Sequence, residues 1–145
     1  MKRYLPHLLA LAGLVSCVPP ASQLPVGELG RQFTATVPGT WHSEMRVGGA
    51  IVTNQKTFHR DGTGKGTTLV KNRSYGVSVV MPATPFTSKW RIEGDDYFSY
   101  DVKSPDPEAF DRGKVFHDRI LSVSPDRIVC RNLDLDQDFT MTRVR

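Results

Sequence analysis

Short segments with period-two alternation, separated by turn residues at regular intervals, constrain this chain most. Each segment is rich in β-branched or aromatic residues, and the stretches between them hold Gly, Pro, Asn or Asp, which favour tight turns. About eight such strands can form antiparallel hairpins and close into a barrel without exposed edges. The sequence therefore predicts an all-β fold, a small antiparallel up-and-down β-barrel. The predicted strands cover residues 41–47, 50–59, 66–80, 87–93, 96–103, 114–124, 127–133 and 138–144.

Alternation also predicts which side chains face the interior. In residues 114–124 two possibilities remain open, because His117 and Arg119 share a face with Leu121 and Val123. Either a polar group points inward there or a β-bulge shifts the register. A single short helix is predicted, from Asp106 to Arg112. The predicted inward residues of the clearer strands are Trp90, Ile92, Phe98, Tyr100, Val102, Ile128 and Cys130.

The first residues are typical of an export signal. Lys2 and Arg3 precede a short apolar run, Leu8 to Val15, which is well below the roughly 20 residues that span a bilayer. Leu14-Val15-Ser16-Cys17 resembles the lipobox of bacterial lipoproteins, which are cut before the cysteine and carry lipid, including palmitate, on its thiol. The resemblance implies a signal peptide over 1–16 and lipid attachment at Cys17. The alternative is an ordinary secretory signal with an incidental cysteine.

The rest of the chain then divides into two parts. Residues 17–32, rich in Pro, Ser, Ala and Gly, are predicted as the lipidated cysteine and a flexible linker, and 33–145 as the barrel domain. In lipoproteins of this kind Val18, rather than Asp, implies sorting to the outer membrane. We therefore expect the cell envelope as the location, with the protein lipid-anchored on the periplasmic face of the outer membrane. With Cys17 acylated, Cys130 has no internal disulfide partner and is expected to be a small buried residue.

Gly39-Thr40-Trp41 and residues 139–144 lie at the two ends of the predicted barrel. The first is similar to the G-x-W signature of lipocalins and lipocalin-like domains, and the second is similar to the closing strand of that group. In that group the arginine of the closing strand, here Arg143, packs over the tryptophan, here Trp41. The D-G-T turn at Asp61 and the W-x-x-x-G-D strand at Trp90 also resemble small bacterial members. The resemblance covers about 39–144 and implies a lipocalin-like (calycin) domain, without the helix that follows the last strand in larger lipocalins.

Catalytic and metal-binding patterns give weaker signals. The histidines after the signal, His42, His59 and His117, lie on different predicted strands, and none adjoins a nucleophile motif. Asp134-x-Asp136-x-Asp138 resembles the start of a calcium loop, but Phe139 stands where that loop needs Gly, so we expect a solvated turn. We therefore predict no enzymatic activity, no cofactor and no metal site.

The stretch DGTGKGTT, residues 61–68, resembles part of a phosphate-binding loop. His59 occupies the first glycine position of that motif, and the following Thr67-Thr68-Leu69-Val70 favours a strand where the motif needs a helix. We expect a hairpin turn with a solvated Lys65. Removing the signal lowers the formal charge from +4 to +2, and the basic residues are interleaved with acids, so no nucleic-acid partner is predicted.

Two functions remain. The first is a membrane-tethered, non-enzymatic lipocalin-like lipoprotein that binds a small apolar ligand or lipid in or at the barrel. The second is an envelope protein-interaction module, such as an inhibitor, immunity or assembly lipoprotein, acting through the barrel loops. The sequence names neither ligand-binding residues nor the partner.

Overall fold

Nine antiparallel strands form one sheet that closes on itself in this computed structural model, which describes residues 25–74, 77–106 and 108–145, with only the backbone at 73, 74 and 77–79. Eight strands make the barrel, because β2 pairs with both β1 and β3, and β4 pairs with β3 outside the ring. The predicted eight-stranded antiparallel up-and-down barrel is confirmed. Cys17 and the predicted signal peptide lie outside the described residues. The strands are β1 Gly39–Val47, β2 Ala50–Phe58, β3 Thr63–Ser74, β4 Val77–Val80, β5 Thr84–Glu93, β6 Asp96–Lys103, β7 Phe116–Val123, β8 Arg127–Asn132 and β9 Gln137–Arg143.

A helix, α1 (Glu28–Thr36), closes one end of the barrel. The turn between β5 and β6 holds its first residues: the backbone N–H of Gly27 donates to Gly94 O at 2.8 Å, and that of Gly30 donates to Asp95 Oδ1 at 2.9 Å. A side chain at Gly30 would collide with the carbonyl of Gly94, so the close approach requires glycine. The helix is therefore attached to the sheet by its backbone as well as by its apolar face.

The helix lies elsewhere in the chain than the sequence predicted. Glu28 to Gln32 belong to the predicted flexible linker but are helical, whereas the described residues of the predicted helix from Asp106 to Arg112 form turns and bends. At Glu28–Thr36 local signals are weak, since Gly27 at the N-cap has no side chain to cap the first turn, and the helix depends on the distant Asp95 and on burial of Phe33. At the other site the Asp106 carboxylate accepts the Glu108 N–H at 3.0 Å, a local bond that competes with helix formation.

An aromatic cluster fills the closed end. Phe33 is fully buried, and its ring centroid lies 6.2 Å from those of Phe58 and Trp90 and 5.2 Å from that of Tyr97. Each aromatic side chain removes a large apolar area from water, and tilted or edge-to-face pairs add to this. The other buried apolar residues are Val37, Trp41, Ile120, Ile128, Cys130 and Met141.

Arg143 joins the two ends of the barrel sequence. Its guanidinium carbon lies 4.4 Å from the ring centroid of Trp41, and its nitrogens donate to the carbonyls of Thr36, Pro38 and Pro125 at 2.6, 3.1 and 2.8 Å. A Cβ on Gly39 would lie 2.6 Å from a guanidinium nitrogen, and Gly39 has a φ of 128°. The glycine, tryptophan and arginine of the lipocalin resemblance thus meet in a single contact.

The D-G-T segment forms the β2–β3 hairpin turn, as predicted. Asp61 Oδ1 accepts the N–H and the hydroxyl of Thr63 at 2.9 and 2.7 Å, and Gly62 supplies a φ of 83°. The indole of Trp90 donates to the carbonyls of His59 and Thr63 at 3.2 and 3.0 Å. This turn is therefore fixed to the barrel core.

Four strands extend beyond the ring. β1 pairs with β9 only from Trp41 to Ser43 but with β2 along its whole length. β3 pairs with β5 through residues 63–68 and with β4 through 71–74. The single strand predicted over 66–80 is therefore parts of two strands. We name the part formed by residues 44–47, 50–53, 69–74 and 77–80 the extension.

Bulges in β6 and β7 interrupt the strict alternation of inward and outward side chains. In β6, Tyr97 and Ser99 are buried, whereas Phe98 and Tyr100 were wrongly predicted to face inward. A register shift opposite Asp101, which has a φ of 50°, disrupts the alternation there. In β7 the bulge, one of the two possibilities left open by the sequence, is present between residues 120 and 122, and the buried polar residue is Asp118, which is not on the face of His117 and Arg119. The inward positions of Trp90, Ile128 and Cys130 are confirmed.

We expect Arg143→Lys to lower the free energy of unfolding by about 2 kcal/mol, because an ammonium cannot reach three carbonyls and cover an indole at once. Urea denaturation measures this. The control is Arg145→Lys, whose side chain is 84% exposed and pairs with Asp126, and which should change stability by about 0.5 kcal/mol or less. Equal effects of the two substitutions would contradict the role of Arg143.

Candidate functional site: a polar cluster inside the barrel

A lysine lies inside the barrel. The ammonium of Lys56 donates to Tyr97 Oη at 2.8 Å and to Ser99 Oγ at 3.0 Å. It also lies 4.8 Å from the ring centroid of Phe58 and 5.9 Å from that of Phe86. Among the described residues, no carboxylate forms an ion pair with it. An aromatic and hydroxyl-bearing environment therefore holds this cation.

Strand register places Lys56 inside. Lys56 is paired with Trp41 of β1 and with Gly66 of β3, and side chains of paired residues share a face. A Cβ on Gly64 would lie 2.8 Å from Lys56 Cε, and one on Gly66 would collide with the Gln55 carbonyl. Gly64 therefore leaves space inside the barrel for the lysine stem, and Gly66 lets β3 lie close to the backbone of β2.

A buried carboxylate accompanies the lysine. Asp118, 6% exposed, accepts a hydrogen bond at 2.8 Å from Nδ2 of Asn132, which is also buried. Burial raises the pKa of Asp118 to about 6, although the hydrogen bond from Asn132 opposes the shift. Burial lowers the pKa of Lys56 to about 7, and the attraction of Asp118 opposes that shift. The charges of both groups are therefore sensitive to pH near neutrality.

The neighbouring titratable groups stay neutral. Burial raises the pKa of Tyr97 and of Cys130 far above their ordinary ranges. Tyr97 is thus a hydroxyl that can donate its proton in a hydrogen bond, and Cys130 is the buried, inert thiol that its pattern predicts.

Ser88 adds a hydrogen-bonding group without a partner. Its side chain is 5% exposed, and its Oγ has no hydrogen bond among the described residues. It is paired with Gly64 in the sheet, and a Cβ on that glycine would lie 3.5 Å from the Ser88 oxygen, on the side where Lys56 Cε lies. An unpartnered buried hydroxyl is costly, so Ser88 has hydrogen-bonding capacity that the described residues leave unused.

Burial decreases from the closed end towards the opposite end, the mouth. Tyr97, Ser99 and Asp118 are buried, whereas Lys56 keeps some exposure. Beyond Lys56, the same face of β1–β3 carries half-buried side chains in two rows, one polar and one apolar. In the polar row Thr68 donates to Asn54 Oδ1 at 2.6 Å. In the apolar row the paired residues are Met45, Val52 and Val70.

The other residues singled out in the sequence lie apart from this cluster. His117 is on the outer face, stacked on Phe98 at 4.2 Å, and its Nε2 lies 2.8 Å from Asp96 Oδ2. In the turn that contains Asp134, Asp136 and Asp138, Asp136 has a φ of 50°. Arg131 forms ion pairs with both Asp136 and Asp138. In the described part of the chain, no three His, Cys, Asp or Glu residues are grouped to hold a metal ion.

The outer surface of β2, β3 and β5 holds two clefts. The larger, about 600 Å³, is open and lies beside Lys65, Thr67 and Lys103. A second of about 360 Å³ adjoins Asp101 and Lys89, which form an ion pair at 3.1 Å. Neither cleft contains the Lys56 ammonium cluster.

The sequence contained a signal for Lys56 that alternation alone could reveal. Lys56 has the same parity as Val52 and Phe58, so it is a charged residue on an apolar strand face. Asp118 likewise shares parity with Ile120, which is buried. What alternation could not show is that these two residues and Tyr97, on three different strands, meet in one interior.

A scan of protein-family models and a search of curated proteins both return no match for this chain. Among the residues that the structure describes, no helix has the length and apolar character needed to cross a membrane.

Asp118→Asn should stabilise the protein increasingly as pH rises from 3.8, the ordinary carboxyl pKa, to about 6, and fully above that pH. Between the ordinary carboxyl pKa and 6, native Asp118 keeps a proton that the unfolded chain loses, so stability falls as pH rises through that window. Asparagine can still accept the bond from Asn132 and carries no charge. We expect a gain of about 1 to 3 kcal/mol at pH 8 and none near pH 3.5, measured by urea denaturation.

The matched control is Asp126→Asn, on the surface, where we expect a change of about 0.5 kcal/mol or less at either pH. A loss of stability at pH 8 for Asp118→Asn would show that its charge stabilises the fold.

Proposed function

We propose that this protein is a membrane-tethered, non-enzymatic lipocalin-like lipoprotein that binds a small apolar ligand or lipid through the mouth of its barrel. The gradient of burial carries the proposal. One end is filled by Phe33, Trp41 and their neighbours, whereas the inward-facing side chains near the other end remain partly exposed. A barrel of eight strands has an interior that holds side chains or one small ligand.

The apolar row gives the mouth its chemistry. Met45, Val52 and Val70 lie side by side on neighbouring strands and keep part of their surface accessible. Partly exposed apolar side chains gain free energy when a ligand covers them. The proposed ligand therefore contacts this row with its apolar part.

Attachment of the tether is consistent with this use of the barrel. The chain enters the domain through Gly27 and α1, at the closed end. Lipid at Cys17 would therefore connect to that end and leave the mouth unobstructed. Several acyl chains hold a protein firmly on a bilayer, since each buried methylene contributes about 0.8 kcal/mol. We place the protein on the periplasmic face of the outer membrane.

The extension supports a second candidate, an envelope protein-interaction module. Residues 44–47 of β1 pair on one side only in the described structure, and Val80 and Met81 are each 55% exposed. Unpaired strand edges and exposed apolar residues can receive another protein. This candidate predicts a stoichiometric protein partner in envelope extract, and the first predicts an extractable small molecule.

We expect Val52→Asp to weaken ligand binding at least tenfold, because a carboxylate then lies in the apolar row. The control is Thr53→Asp, which places the same charge on the opposite face of β2 and should change affinity less than twofold. The test extracts the purified proteins with organic solvent, identifies the bound molecule by mass spectrometry and measures its rebinding. Unchanged affinity in both variants would exclude the mouth as the binding site.

Cys17→Ser should abolish attachment to the membrane. Serine offers no thiol for acylation, so incorporation of labelled palmitate should disappear and the protein should leave the membrane fraction. Cys130→Ser is the control, and its labelling should equal that of the wild type because Cys130 is buried in the barrel. Retained label in the Cys17 variant would refute lipid attachment at this residue.

A further inference from the structure

The donors around Lys56 converge on one region of the interior. An ammonium has three N–H groups, and two of them are used by Tyr97 and Ser99. Both hydroxyls accept from the lysine, and they are also hydrogen-bonded to each other, so one of their two protons is free to donate. The unpartnered Ser88 hydroxyl contributes a further donor. Lysine and hydroxyl donors in a dry site are suited to an oxygen anion.

Lys56 also occupies the boundary between the packed and accessible parts of the barrel. Tyr97 and Ser99 are buried behind it, and the apolar row lies on the same face of β1–β3, farther along in the extension beside the mouth. A molecule that enters from the mouth would meet apolar side chains first and the ammonium last. This order fits an amphiphile whose charged head enters first and whose chain remains against the row.

We propose that Lys56, Tyr97, Ser99 and Ser88 form a head-group site for a carboxylate-bearing amphiphile, and that Asp118 opposes the charge of this ligand. The inference rests on the proposed function, since it names the chemical class of the ligand bound through the mouth. The carboxylate of the ligand would form the ion pair that Lys56 does not form with any described residue.

Asp118 makes binding depend on pH. With pKa values of about 7 for Lys56 and about 6 for Asp118, the site gains a carboxylate and loses its ammonium as pH rises from 6 to 8. Both changes disfavour an anion. The other titratable groups that face or flank this pair are Tyr97, Cys130, His117 and Asp134.

Octanoate and octan-1-ol are the probes, because they share a chain and differ in the head group. We expect wild-type protein at pH 6 to bind octanoate at least tenfold more tightly than the alcohol in calorimetric titrations. The dissociation constant for octanoate should rise at least tenfold between pH 6 and 8, since the charged fraction of a lysine with this pKa falls by that factor. The constant for octan-1-ol should not change.

Variants locate the site. Lys56→Met should abolish the preference for octanoate and retain binding of octan-1-ol, which also shows that the barrel is folded. Lys65→Met, on the exposed face of β3, should behave as wild type. Asp118→Asn should bind octanoate severalfold more tightly at pH 7, because the opposing charge is absent.

The outcomes separate this inference from the proposed function. Equal affinity for both probes in the wild type, or an octanoate preference that survives in Lys56→Met, would overturn the head-group site and leave ligand binding intact. Weaker octanoate binding by Asp118→Asn would overturn the opposing role of Asp118. If neither probe binds and no apolar molecule is extracted, the proposed function fails and the head-group site fails with it.

Discussion

The packing of Phe33 and Trp41 at one end of the barrel is the constraint on which the rest depends. Phe33 brings α1 into the aromatic cluster, and the indole of Trp41 donates to Val37 O at 2.7 Å just beyond that helix. Arg143 covers the indole from the last strand and binds three carbonyls. The closed end thus links the helix, the first strand and the last strand in one unit, which fixes the barrel as a ring.

Because the closed end is tightly packed with apolar side chains, the next part of the barrel interior can contain polar groups. Burying an ammonium and a carboxylate without a direct ion pair is unfavourable, and the opposite pKa shifts of Lys56 and Asp118 report that cost. The large apolar area buried at the closed end offsets it. Gly64 then admits the lysine stem, because a side chain there would collide with it, and Gly66 lets β3 lie close to the Gln55 carbonyl. The interior is therefore divided along its axis into a packed part, a polar part and an accessible apolar part.

The barrel could be predicted from the sequence because each strand has its own local pattern of residues. β-branched and aromatic residues with turn residues between them placed eight ladder segments, and the hairpin at Asp61 was identified from local chemistry alone. The predictions were wrong where contacts between distant residues determine the structure. The helix at Glu28–Thr36 has no local cap and forms through burial of Phe33, and the faces of β6 follow a bulge at Asp101 that alternation does not encode.

The sequence by itself determined the fold class and the eight strands of the barrel, because alternation and turn chemistry are local properties. The resemblance to lipocalins implied the contact between Trp41 and Arg143. Only the tertiary structure decided that Lys56, Tyr97, Ser99 and Asp118 meet inside the barrel. Their proximity depends on the register of β2 against β1 and β3 and on the bulges of β6 and β7. A shift of one residue in any of these strands would move its side chains to the outer face.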